Sequence, residues 1–247
     1  MLLPSILEYD QVNLNRKTNF LLQNLNSAEF IKSIKILESD TRKIQSSLNL
    51  HLDFVLPQFA KDRGGILTSS GLESILNHFS KKFDQTKLNL TVHLMGELED
   101  MRLAWDFWSK FKPNKKWKIT ILVPVNHYLP WKTHFKKFNI GIWIDLHDWL
   151  ELPESEVLSR LPEGVKDILI MTVVAGKSGQ KLETIVEHKL QGLIIELTHS
   201  LDRFVLDGGW SQTKAQNFLN NIQDRIPLKK QIDFVSYGSF WSQYNLV

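Results

Sequence analysis

Four side chains of types that bind metal ions or move protons stand in short apolar segments of this 247-residue sequence: His51 and Asp53 in LNLHLDFV, His93 in LNLTVHLM, and Asp207 at the end of RFVLD. Extended chain sends successive side chains to opposite faces, so His51 and Asp53, two apart, share one face while Leu52 and Phe54 take the other. By the same alternation His93 stands with Thr91 and Met95, and Asp207 stands with Val205. Two imidazoles and two carboxylates are a suitable donor set for Zn²⁺, Mn²⁺, Fe²⁺ or Co²⁺. Burying two carboxylates is costly unless they are protonated, hydrogen-bonded, partly solvated or compensated by a cation.

Three glycine-containing turns follow late apolar segments: Ala175-Gly176-Lys177-Ser178-Gly179-Gln180, Asp207-Gly208-Gly209 and Tyr237-Gly238-Ser239. Bare backbone N–H groups beside a helix N-terminus form a nest for anions, and a set of such turns points to a phosphorylated ligand.

The elements that must carry these residues read as alternating strands and helices. The strands are residues 2–7, 48–55, 88–95, 117–123, 139–145, 167–174, 203–207 and 232–237, with helical apolar spacing at Phe30–Leu37, Leu72–Phe79, Leu98–Trp108, Leu182–Leu197 and Ala215–Ile222. Ser70 and Glu73 have the spacing of a capping box. Eight strands at roughly thirty residues per strand–helix unit predict a single-domain (β/α)₈ TIM barrel over residues 1–247, with an open doubly wound sheet as the alternative. The chain ends nine residues after Gly238, so the eighth helix is expected to be short or missing. A parallel barrel reacts at the C-terminal ends of its strands, where all four donors fall. A lone polar residue there reads as a hydrogen-bonded side chain; four together read as a ligand set.

Composition narrows the classes. With 14 Phe and 8 Trp against 12 Gly and 8 Pro, the chain is globular, and the absence of cysteine rules out a disulfide framework. The net charge of +3 predicts no nucleic-acid partner, and the lysines at 115, 116, 118, 132, 136 and 137 read as solvated faces. No apolar run approaches a membrane span. The run Met1–Leu7, broken by Pro4 and Ser5 and followed by Glu8 and Asp10, does not read as a signal peptide, so a cytoplasmic protein is expected.

In order along the chain, Pro4-Ser5-Ile6-Leu7, His51-Leu52-Asp53, Val92-His93-Leu94-Met95, Leu169-Ile170-Met171-Thr172-Val173, Gly176 to Gln180, Leu206-Asp207-Gly208-Gly209 and Gly238-Ser239 resemble the motifs of ribulose-phosphate 3-epimerase. The resemblance implies a metal-dependent isomerase of the pentose phosphate pathway that interconverts ribulose 5-phosphate and xylulose 5-phosphate. It implies one divalent ion held by His51, Asp53, His93 and Asp207, with Asp53 and Asp207 as the two catalytic bases acting through a metal-stabilised cis-enediolate. It further implies Ser5, His93, Met95 and Met171 around the sugar, phosphate on Gly176, Lys177, Ser178, Gly179, Gly208, Gly209, Gly238 and Ser239, and a homo-oligomer.

Departures from the motifs ring the substrate rather than the donors. Phe54-Val55-Leu56-Pro57 replaces a Met-Asp-Gly segment, Val174-Ala175 replaces Asn-Pro, and the fifth strand ends in Asp145-Leu146-His147-Asp148-Trp149. They motivate two alternatives, a hexulose-6-phosphate 3-epimerase and a non-catalytic phosphosugar-binding paralogue. Asp145, His147 and Asp148 are either a second polar cluster or solvated loop residues.

Overall fold

The computed structural model describes residues 1–6, 11–24, 26–35, 47–56, 69–175, 180–227 and 229–246. Eight strands, β1 (Leu2–Ile6), β2 (Leu48–Val55), β3 (Leu88–Met95), β4 (Trp117–Pro124), β5 (Asn139–Ile144), β6 (Asp167–Met171), β7 (Arg203–Asp207) and β8 (Gln231–Ser236), pair in parallel in sequence order and close into a barrel through β1 and β8. The helices are α1 (Gln11–Asn24), α2 (Ala28–Ile34), α3 (Ser69–Lys82), α4 (Leu98–Lys110), α5 (Tyr128–His134), α6 (Leu146–Trp149), α7 (Glu154–Ser159), α8 (Thr184–Leu197), α9 (Gln212–Ile222) and α10 (Gly238–Ser242). The fold is the expected (β/α)₈ barrel.

The alternation along each strand builds two cores. Leu52, Phe54, Val92, Leu94, Phe204 and Leu206 point outward and join the large apolar layer between strands and helices. Met95, Leu122, Trp143, Leu169, Met171, Val205 and Val235 form a smaller cluster inside the barrel. Each fully buried large apolar side chain contributes roughly 1.5–3 kcal/mol, so reversing a strand's register by one residue would be prohibitive, and the facing of His51, Asp53, His93 and Asp207 is fixed by their apolar neighbours.

Several boundaries differ from the sequence reading. Strand β6 stops at Met171 rather than 174, where its partner β7 ends at Asp207 and Gly208 turns the chain at a φ of 109°; Thr172 gives its backbone N–H and its hydroxyl to the Asp207 carbonyl, at 2.8 and 2.9 Å. Helix α3 begins at Ser69, which puts Ser70 inside its first turn rather than ahead of it. Among its described residues the first crossover carries two helices, α1 and α2. Three short helices between β4 and β6 escaped the periodicity: α5 contains Pro130, and α6 and α7 are only 4 and 6 residues long. The eighth helix is short, at 5 residues.

Candidate metal centre

His51 and Asp53 are the fourth and sixth of the eight residues of β2, His93 lies two residues before the end of β3, and Asp207 takes the last position of β7. Cross-strand register sets Asp53 beside His93 and Ser5 beside His51. All four side chains are buried, and one ligand atom from each falls within 4.8 Å of every other.

The contacts form a closed ring. His51 Nε2 is 2.9 Å from Asp53 Oδ1, which is 3.1 Å from His93 Nδ1; His93 Nδ1 is 3.4 Å from Asp207 Oδ2, which is 3.6 Å from His51 Nε2. The first two distances suit hydrogen bonds, while the last two are long for them. Ligands about 2.1 Å from one ion stand about 3.0 Å apart at octahedral and about 3.4 Å apart at tetrahedral angles. The spacing therefore fits four donors facing a common point better than two separate His–Asp pairs, and the donor chemistry suits a transition-metal cation.

The electrostatics agree. Burial alone would hold both imidazoles neutral, yet the carboxylates of Asp53 and Asp207 outweigh it, raising His51 to about 10 and His93 above its ordinary value. The same imidazoles hold Asp53 below the usual carboxylate range against its own desolvation. A divalent cation would balance the two carboxylates in place of two imidazolium protons. His51 Nδ1 and His93 Nε2, the ring nitrogens turned away from the ring of contacts, have no hydrogen-bond partner among the described residues.

Surrounding side chains fix the donors. Ser5 Oγ donates to Asp53 Oδ2 at 2.8 Å, turning Oδ1 toward the imidazoles. Thr172 Oγ1 lies 2.9 Å from the Asp207 carbonyl and 2.6 Å from that of Gly208, tying the end of β7 to β6. The Trp143 ring sits 4.9 Å from that of His93 at a steep angle, and its Nε1–H donates to the Leu94 carbonyl. Met95 and Met171 lie in the same inner cluster. Trp143 escapes the motif reading although alternation along β5 places it inside; Thr172 stands in a strand and in one of the resembling motifs, with no role of its own expected.

The expected phosphate turns are brought together only in part. Gly208 and Gly209 follow Asp207 with φ of 109° and 74°, and a Cβ on either would meet Val173 Cγ2 at 2.2 Å or Leu182 N at 2.4 Å. Both positions thus require glycine for the turn itself. Gly238 opens α10, and Ser239 Oγ lies 2.8 Å from the Trp210 carbonyl and 2.7 Å from Ser236 Oγ. Gly176, Lys177, Ser178 and Gly179 lie outside the described residues. Asp145 and Asp148 form a capping box on α6, with Asp145 N–H donating to Asp148 Oδ2 at 3.1 Å, so they serve a helix end rather than a second site.

No family model matches this chain, and no curated protein matches it in sequence. Among the described residues no helix is long and apolar enough to cross a membrane.

Proposed function

We propose that this protein is a metal-dependent ketose-phosphate 3-epimerase acting on ribulose 5-phosphate and xylulose 5-phosphate. The observation that carries the reading is the meeting of two carboxylates, from strands three steps apart around the barrel, at one four-donor centre at the C-terminal mouth. Inverting a carbon without turning the substrate over requires one group to take a proton and a second to return one from the other face.

Asp53, ionised, takes the proton from C3, and the electrons of the C3–H bond move toward the neighbouring carbonyl oxygen. Asp207, entering as the carboxylic acid, gives a proton to the opposite face of C3 as those electrons return. No electrons are gained or lost overall, and the reverse reaction exchanges the two roles. A bound divalent ion supplies Lewis-acid stabilisation of the charge that builds on oxygen, worth several kcal/mol. Ser5 keeps the Asp53 carboxylate oriented. Met95, Met171 and Trp143 give the pocket an apolar wall that excludes water from the charge. The backbone of Gly208, Gly209 and Gly238 supplies the phosphate seat.

The test is elemental analysis of protein purified without added metal, followed by incubation with ribulose 5-phosphate and a hexulose 6-phosphate in D₂O. One divalent ion per chain and deuterium entering at C3 of the pentulose are expected. Metal-loaded protein that shows neither exchange nor turnover on any ketose phosphate overturns the reading; exchange confined to the hexulose moves it to the larger sugar.

A further inference from the structure

The C-terminal helix reaches the metal centre through two hydrogen bonds. Trp241, fully buried in α10, donates its Nε1–H to the Ser5 carbonyl at 2.7 Å, and Ser5 Oγ donates to Asp53 Oδ2 at 2.8 Å. Pairing of β1 with β8 ends at Pro4 opposite Ser236, so the indole takes its acceptor beyond that ladder. A five-residue helix has little stability of its own, but this one is held on several sides. The Trp241 ring stands edge-on to Phe20 and Phe240, and the buried Lys17 of α1 places Nζ 5.1 Å from its centroid and 4.5 Å from that of Tyr237. The Lys17 ammonium also lies 3.3 Å from the Tyr237 hydroxyl.

We propose that Trp241 is a positioning residue for the metal ligand Asp53. Its N–H fixes the Ser5 peptide, Ser5 then fixes the outer oxygen of Asp53, and the inner oxygen is left facing His51 and His93. The C-terminal turn thereby sets the geometry of a centre to which it contributes no ligand. The proposal rests on reading the four donors as a metal site but not on the reaction catalysed there.

The test uses Co²⁺ as the probe, with affinity from chelator competition and geometry from the visible d–d spectrum, in the full-length wild type and in Trp241→Phe, Ser5→Ala, Ser5→Thr and the Trp241→Phe/Ser5→Ala pair. Groups that orient metal ligands are typically worth about 10- to 100-fold in affinity. Trp241→Phe is expected to weaken Co²⁺ about tenfold and shift its bands, Ser5→Ala to weaken it by at least as much, Ser5→Thr to retain most of the affinity, and the pair to bind no worse than Ser5→Ala alone. Phe79→Leu, a core change in α3, controls for lowered stability and should bind as the wild type does. Should Trp241→Phe not fold, Trp241→Tyr, which also lacks the indole N–H, takes its place. Wild-type affinity and spectrum in the Trp241 variant, additive losses in the pair, or an equal loss in Phe79→Leu overturns the relay. A wild type that binds no divalent ion overturns the metal reading itself, and the relay with it.

Discussion

The barrel interior holds two polar clusters on the same strand faces, and they are balanced differently. At the C-terminal mouth, His51, Asp53, His93 and Asp207 offset two carboxylates only with imidazoles. Four residues earlier on β7, about 13 Å down the strand, Arg203 donates Nε–H to Asp233 at 2.9 Å and Nη2–H to Thr91 Oγ1 at 2.8 Å. The N-terminal amine of Met1 lies 3.4 Å from the same Asp233, and Gln231 donates to it as well. The lower cluster contains a guanidinium whose planar fork binds both a carboxylate and a hydroxyl, and is complete as a piece of structure. The upper one has charge partners that give up their protons, which is what a site that exchanges protons for a metal ion requires.

The largest expected effect lies in the upper cluster. Asp207→Asn removes one of the two proposed proton-transfer groups and should lower turnover on ketose phosphates by about 10²- to 10⁴-fold while the protein remains folded by circular dichroism; an active variant breaks the assignment of roles. In the lower cluster, Arg203→Met leaves Asp233 without its guanidinium and should cost about 3 kcal/mol of stability in urea unfolding, with Co²⁺ affinity unchanged. Were metal binding to fall in proportion, the two clusters would be one system rather than two.

A third prediction separates them by pH. With metal chelated, the raised value of His51 means that its ion pairing contributes stability fully below about 6.5, and that the contribution is lost as pH rises toward and through about 10. Thermal unfolding between pH 6 and 10.5 should show this decline in the chelated protein, and a shallower one with metal bound, since the cation has replaced the proton. The smallest effect is expected outside both clusters: Asp148→Asn weakens the cap of α6, at a cost of about 0.5–1 kcal/mol, and should leave metal content untouched.

These contrasts also show what a linear reading can reach. The eight strands and the inward facing of the four donors were legible because alternation has a period of two and the flanking residues are strongly apolar: Leu52 and Phe54 settle where His51 and Asp53 point. Helix α1, with its polar QVNLNRKTNF start, and the short helices α5 to α7 were not, since they carry too few periodic apolar positions. The bond from Trp241 to Ser5 spans 236 residues and exists only once β1 meets β8, so no local pattern announces it. The glycines were visible, but their immediate cause, the approach of Val173 and Leu182, was hidden in tertiary packing.

The four donors come from β2, β3 and β7, and the shorter way round the wall from β7 to β2 crosses the seam where the last strand joins the first. An ion held there would act as a clasp on the cylinder: it would bind tightly only to the sealed form and so oppose its opening. Occupancy and mechanical integrity of the barrel would then be one equilibrium, and starving the protein of metal would loosen the vessel.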